Sequence, residues 1–243
     1  MLPVLYSALA LLCVPGQGSA GCAIGSYLYQ PAFCIKDVCL APAEPYVPQP
    51  GDIMLRLDRS IFWRVTHHLA LARDPNGSGI VFARPDGSLA VLEAGPCDTL
   101  WVSTPDLLPH LKEYEEAGRV WIRKRRVPLT PEESARLTAF ALAQDGKRFA
   151  LIRLGAQLTP FRSRGPLRTC VVGGPHGDRH AYFCSELVCE ACVATGLLDP
   201  SRTRPAATYP CDLFFGRSWN PYINNHLDIN DHWWPPARWA SCP

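Results

Sequence analysis

His180-Ala181-Tyr182-Phe183-Cys184-Ser185-Glu186-Leu187-Val188 is the stretch around which the chain is organised. Apolar residues recur from there at Leu187, Val188, Ala191, Val193, Ala194 and Leu197, close to the 3.6-residue period of a helix. Gly196 and Pro200 end the run as helices end. The spacing therefore predicts a helix headed by Cys184. The unpaired N–H groups and the positive dipole end there favour a thiolate and lower its pKa. Cys184 is thus a candidate nucleophile, provided a base can reach it. The competing reading is a buried thiol or half a disulfide, the usual use of cysteine in exported chains.

The whole chain sets the frame. At 243 residues it can bury a full core, and its formal net charge of +2 demands neither nucleic acid nor an anionic surface. Proline is abundant (24 residues), which predicts many ordered loops and few long helices. Eleven cysteines point to export or to metal. Residues 4–14 form an apolar run of signal-peptide length, and Gly18-Ser19-Ala20 offers a small-residue cleavage site, although no Lys or Arg precedes the run. We read residues 1–20 as a signal peptide and the protein as extracytoplasmic, periplasmic or secreted. A second expectation is a lipid anchor at Cys22, as in a lipoprotein. No later stretch is long and apolar enough to span a membrane.

Residues 21–50 read as an irregular Cys/Pro-rich leader stapled by a disulfide among Cys22, Cys34 and Cys39. Residues 52–57 and 66–72 read as strands, and residues 79–83 and 89–94 as a hairpin about Pro85-Asp86-Gly87. Residues 119–127 read as a further strand. Its Arg123-Lys124-Arg125-Arg126 run is expected to be a solvated edge, with charges divided between two faces. Thr130-Pro131-Glu132-Glu133 is a capping box that opens a helix running to about Gln144. Residues 145–180 read as a long arginine-bearing loop, and residues 216–243 as a Trp-rich extension. Helices and strands segregate, so the fold class expected is α+β with a mainly antiparallel sheet.

A cysteine nucleophile takes its base from histidine, and the histidine takes an orienting group. His67 and His68 are adjacent on one predicted strand and so point to opposite faces. Glu93 lies inside an apolar strand, where a lone carboxylate needs a partner. An imidazole on a neighbouring strand would supply one.

Gly51-Asp52-Ile53, Thr66-His67-His68-Leu69-Ala70-Leu71, Val91-Leu92-Glu93-Ala94 and Phe183-Cys184-Ser185-Glu186-Leu187-Val188 follow one another in that order. Together they resemble the permuted NlpC-type, papain-like cysteine hydrolases of the YiiX/YebB-like group, over about residues 51–215. Residues 125–133 also look typical of it. The resemblance implies a circularly permuted papain-like domain, an antiparallel sheet or partial barrel packed against the helix that carries the nucleophile. It implies Cys184 as nucleophile, His68 as base and Glu93 as orienting carboxylate. His67 stands where the group has a small polar residue. Tyr182 and Ser185 are expected near the oxyanion.

The activity implied is amide hydrolysis on a peptide or acyl substrate, with cell-wall peptides as one candidate, and with no metal or organic cofactor. One alternative is a lipid acyl hydrolase or acyltransferase on the same layout. Another is a zinc-binding module using His176, His180, Cys184, Cys189 and Cys192, although Cys189 and Cys192 would lie within one helix rather than in the usual paired loops. A disulfide-stapled binding module is the third. Cleavage after Ala20 removes Cys13 and leaves an even number of cysteines. Setting Cys184 aside makes it odd, so a further cysteine is free, lipidated or intermolecular.

Overall fold

The computed structural model describes residues 25–29, 43–58, 65, 67–68, 72–95, 99–156, 159–162, 164–167, 177–218 and 226–241. Residues 1–20, read as a signal peptide, and Cys22, Cys34, Cys39 and His176 lie outside the described residues.

Among the described residues, eight strands form one sheet. In chain order its members are β1 (Tyr27–Tyr29), β2 (Ala43–Pro45), β3 (Ile53–Asp58), β4 (Gly77–Ala83), β5 (Leu89–Ala94), β6 (Val102–Ser103), β7 (Gly118–Arg123) and β10 (Ala237–Ala240). Their spatial order is β2-β1-β10-β7-β3-β4-β5-β6, and every pairing is antiparallel. β8 (Arg148–Phe149) and β9 (Ala181–Tyr182) form a separate parallel pair. The helices are α1 (Leu107–Ala117), α2 (Pro131–Gln144), α3 (Leu151–Ala156), α4 (Cys184–Thr195) and α5 (Pro210–Phe215). The fold class is α+β, as the segregation of elements predicts.

Strand alternation decides what each face of the sheet buries. Ile53 and Leu55 of β3, Ile80 and Phe82 of β4, and Leu92 and Ala94 of β5 pack with Leu137 and Ala141 of α2 and Leu187, Val188 and Ala191 of α4. The intervening residues Met54, Val81, Val91, Val120 and Ile122 pack with Leu107, Leu111 and Tyr114 of α1. α4 and α1 therefore lie on opposite faces of one sheet. Arg56 shares the parity of Met54, and Glu93 that of Val91, so both carry their Cβ on the α1 side.

α2 begins where the capping box predicts. Thr130 accepts a hydrogen bond from the Glu133 N–H at 3.2 Å, and the Thr130 N–H donates to Glu133 Oε2 at 2.8 Å. α4 ends at Gly196, whose φ of 86° is left-handed and suits a residue without Cβ.

Other expectations change. Val65, His67 and His68 are helical, not extended. The strand expected over residues 119–127 stops at Arg123. Of the Arg123–Arg126 run, Arg126 is exposed as expected, whereas Arg123 and Arg125 are buried. Arg123 is buried and donates to the Leu213 and Trp234 carbonyls and to Asn230 Oδ1. The Arg125 guanidinium lies 4.6 Å from the centroid of the Trp233 ring. These arginines clamp the Trp-rich segment, whose Trp233 and Trp239 are fully buried. Strand β10 of that segment pairs with β7 on one side and with β1 of the leader on the other. The described parts of the leader and of the tail thus complete the central sheet.

Candidate active site

Phe183 N-caps α4 with extended backbone, and Cys184 is its first residue. The helix start is held from outside. Glu186 is fully buried, accepts the Phe183 N–H at 3.1 Å, and takes a two-pronged pair from Arg153 at 2.8 and 2.7 Å. Arg179 lies 3.0 Å from the same carboxylate. Two cations thus neutralise an acid that would otherwise be costly to bury. The Ser185 hydroxyl donates to the Thr208 carbonyl at 2.7 Å, tying the same turn to the segment before α5.

Cys184 is 9 % exposed and lines a solvent-connected cleft. Arg56, His67, Asn76 and Ser185 supply polar groups to its wall, and Leu100, Phe149, Phe183 and Pro210 supply apolar surface. Burial pushes the Cys184 thiol up, and the Glu93 carboxylate adds to that. Arg56 and Ser78 oppose the rise without overcoming it. The low-pKa thiolate expected at the helix entrance is therefore not the resting state. The sulfur is held as a neutral thiol, because desolvation outweighs the helix dipole.

The structure brings His67 to the cleft wall with Cys184, while His68 is exposed. Successive helical residues diverge by about 100° rather than alternating, so only one ring can face inward. His68, the base that the resemblance implies, is thus not the one lining the cleft. Burial lowers the pKa of His67 to about 4, helped by the Arg56 cation and by the neighbouring His68 ring. Its Nδ1 is buried without a hydrogen-bond partner.

Glu93 is fully buried, and its partners are not the histidines of the cleft. Arg56 Nε donates to Oε1 at 2.7 Å, and the Tyr114 hydroxyl donates to Oε2 at 2.8 Å. His110 Nε2 lies 3.1 Å from Oε2. Arg56 and His110 hold the carboxyl below its usual range, even though burial pushes it up. The reason is parity: Glu93 faces α1, whereas the Cys184 helix covers the other face. Nothing in the motif order signals Arg56, His110 or Tyr114. The period-2 count along β3 and β5 could have placed Arg56 and Glu93 on one face.

Tyr182 is buried in the core, where its hydroxyl donates to Asp178 at 3.1 Å and accepts from the Arg179 N–H at 2.9 Å. Its ring lies away from the cleft, whereas Ser185 lines it. Among the described residues, Cys184, Cys189, Cys192 and Cys211 are free thiols. Cys189 and Cys192 are buried in the core, and His180 is exposed, so the zinc grouping does not assemble around them. No three His, Cys, Asp or Glu side chains among the described residues gather as a metal-binding group. Among the same residues, no helix is long and apolar enough to cross a membrane.

The described elements define an α+β fold in which a cysteine-headed helix packs on one face of an antiparallel sheet. No family model matches the chain, and no curated protein sequence does. Among solved structures, the chain is similar to the metalloprotein YiiX from Escherichia coli O157:H7. The TM-score is 0.41 and the identity 18 %, over 60 % of this chain and 66 % of that one.

Proposed function

We propose that the chain is a cysteine hydrolase of the permuted papain-like layout, with Cys184 as nucleophile and His67 as base. The observation that carries the reading is that a helix-heading cysteine and a neutral, half-buried imidazole line one cleft. His67 takes the Sγ–H proton as the sulfur attacks an amide or ester carbonyl carbon. The carbonyl electron pair moves to oxygen, beside the unpaired N–H groups at the start of α4. Collapse of this adduct expels the amine or alcohol, which leaves with the proton from His67. Water, deprotonated by His67, then releases the acyl group as a carboxylic acid and restores the thiol. Since the resting pair is neutral, His67 acts as general base rather than as half of a preformed ion pair.

Both candidate substrate classes fit the apolar walls at Leu100, Phe149 and Phe183, either with an apolar side chain beside the scissile amide or with an acyl chain on an ester. Hydrolysis of a muropeptide compared with a phospholipid ester separates these. The base is tested by variants: His67→Ala is expected to lower kcat/KM by about a hundredfold or more, and His68→Ala by less than about threefold. Equal losses, or a larger loss at His68, overturn the assignment of His67. The acid limb of kcat/KM should fall near the His67 value of about 4, because protonation there removes the base. An acid limb at pH 6 to 7 would contradict a neutral, desolvated base.

A further inference from the structure

Arg56 occupies an unusual position. Its parity along β3 places it on the α1 side of the sheet, yet its guanidinium lines the Cys184 cleft. Its side chain lies across Gly77, its partner in the β3–β4 pairing, on the same face. A Cβ on Gly77 would stand 2.6 Å from Arg56 Nε and 2.9 Å from Cζ. The absent side chain thus leaves the room that the arginine occupies beside the cleft. There it is fixed on several sides: Glu93 Oε1 at 2.7 Å, the Gly95 carbonyl at 3.1 Å, and the Tyr114 ring, whose centroid is 4.6 Å from Cζ. Tyr114 also binds Glu93, and His110 backs the same carboxylate. The anchor behind the guanidinium is therefore a network on the α1 face.

We propose that Arg56 is the positioning residue of this cleft, a fixed cation that favours the Cys184 thiolate over the thiol and is itself held in place by Glu93. Among the described residues, the titratable and charged groups around it include Glu93 from β5, His110 and Tyr114 from α1, His67, and Cys184 from α4. Arg56 is the strongest influence drawing the sulfur toward ionisation, and it also disfavours a charged His67. Both effects help proton transfer: the thiolate is stabilised as it forms, and the base rests unprotonated. In this arrangement the buried carboxylate, besides its direct effect on the thiol, anchors the arginine rather than a histidine of the cleft. The inference rests on Cys184 being the reacting group.

The test is the pH dependence of Cys184 alkylation by iodoacetamide, followed at that residue by peptide mass spectrometry, which needs no substrate. Glu93→Gln should move the midpoint to lower pH, because the cation loses its neutralising partner. Adding Arg56→Met to Glu93→Gln should move it back up by about 1 pH unit or more, the usual effect of removing an opposite charge at short range. Arg56→Lys alone should leave it within about 0.3 unit of the parent, since the charge is kept. Coincident midpoints for Glu93→Gln and the double variant overturn the proposal. If the double variant does not fold, Arg56→Gln alone decides, and a midpoint that does not rise overturns it. Should hydrolysis fail on every substrate while the midpoints move as stated, the activity reading falls and the role of Arg56 stands.

Discussion

Cys184→Ala is expected to lower hydrolysis by at least about a thousandfold while leaving the fold intact. The size of the loss follows from the proposed role: removing the sulfur deletes the atom proposed to bond to the substrate, and water cannot use the same line of attack. The small cost in stability follows from the position. The sulfur faces the cleft rather than the interior of the sheet–helix core, and no disulfide holds it. Its removal leaves no closed cavity, so unfolding in urea should shift by no more than about 1 kcal/mol. Cys184→Ser should be nearly as inactive, because a hydroxyl ionises far less readily than a thiol in the same buried setting. Labelling by a thiol-directed activity probe should vanish in both variants. Turnover retained in Cys184→Ala would remove the hydrolase reading altogether.

The parts of the fold legible in the sequence are those fixed by local chemistry. Thr130-Pro131-Glu132-Glu133 satisfies its own backbone donors, so α2 starts where the residues require. The turn at Pro85-Asp86-Gly87 sets the β4–β5 hairpin, and Gly196 stops α4 at its own φ. What stayed illegible depends on distant partners. β1, β2 and β10 are three or four residues long, too short to show a period, and exist because they pair with each other and with β7. α1 contains Pro109, which reads as a breaker, but it falls in the first turn, where a missing N–H is harmless. Arg123 and Arg125 read as surface charges and are instead buried against carbonyls and indole that arrive from the end of the chain.

The candidate site divides in the same way. Cys184 was legible because a helix start is a local event. The inward histidine was not, since residues 66–72 carry an extended-looking pattern, whereas His67 and His68 are helical. Glu93 was legible as a carboxylate needing a partner, but not which partner. A buried acid on a strand is claimed by whatever its face meets, and that face meets α1.

The second large effect concerns stability and falls on that carboxylate. Glu93→Ala is expected to destabilise the protein by about 3–5 kcal/mol, the usual cost of removing one member of a buried ion pair. Arg56 would keep its charge within a nearly water-free wall, and the Tyr114 hydroxyl and the His110 ring would lose their shared acceptor. Glu93→Gln should cost less, because the amide oxygen still accepts one hydrogen bond although the charge is gone. The pH dependence gives the sign. The folded protein holds this carboxyl below its ordinary value of 4.5, so between those two values the unfolded chain binds more protons than the folded one. The stabilisation is therefore fully present above about pH 4.5 and is lost as the pH falls through the folded value. Urea unfolding at pH 7 should separate parent from Glu93→Ala by the full amount, and the gap should narrow once the pH is taken well below the carboxylate range. A gap under about 1 kcal/mol at pH 7 would mean that the network around Arg56 does not hold the wall of the cleft together.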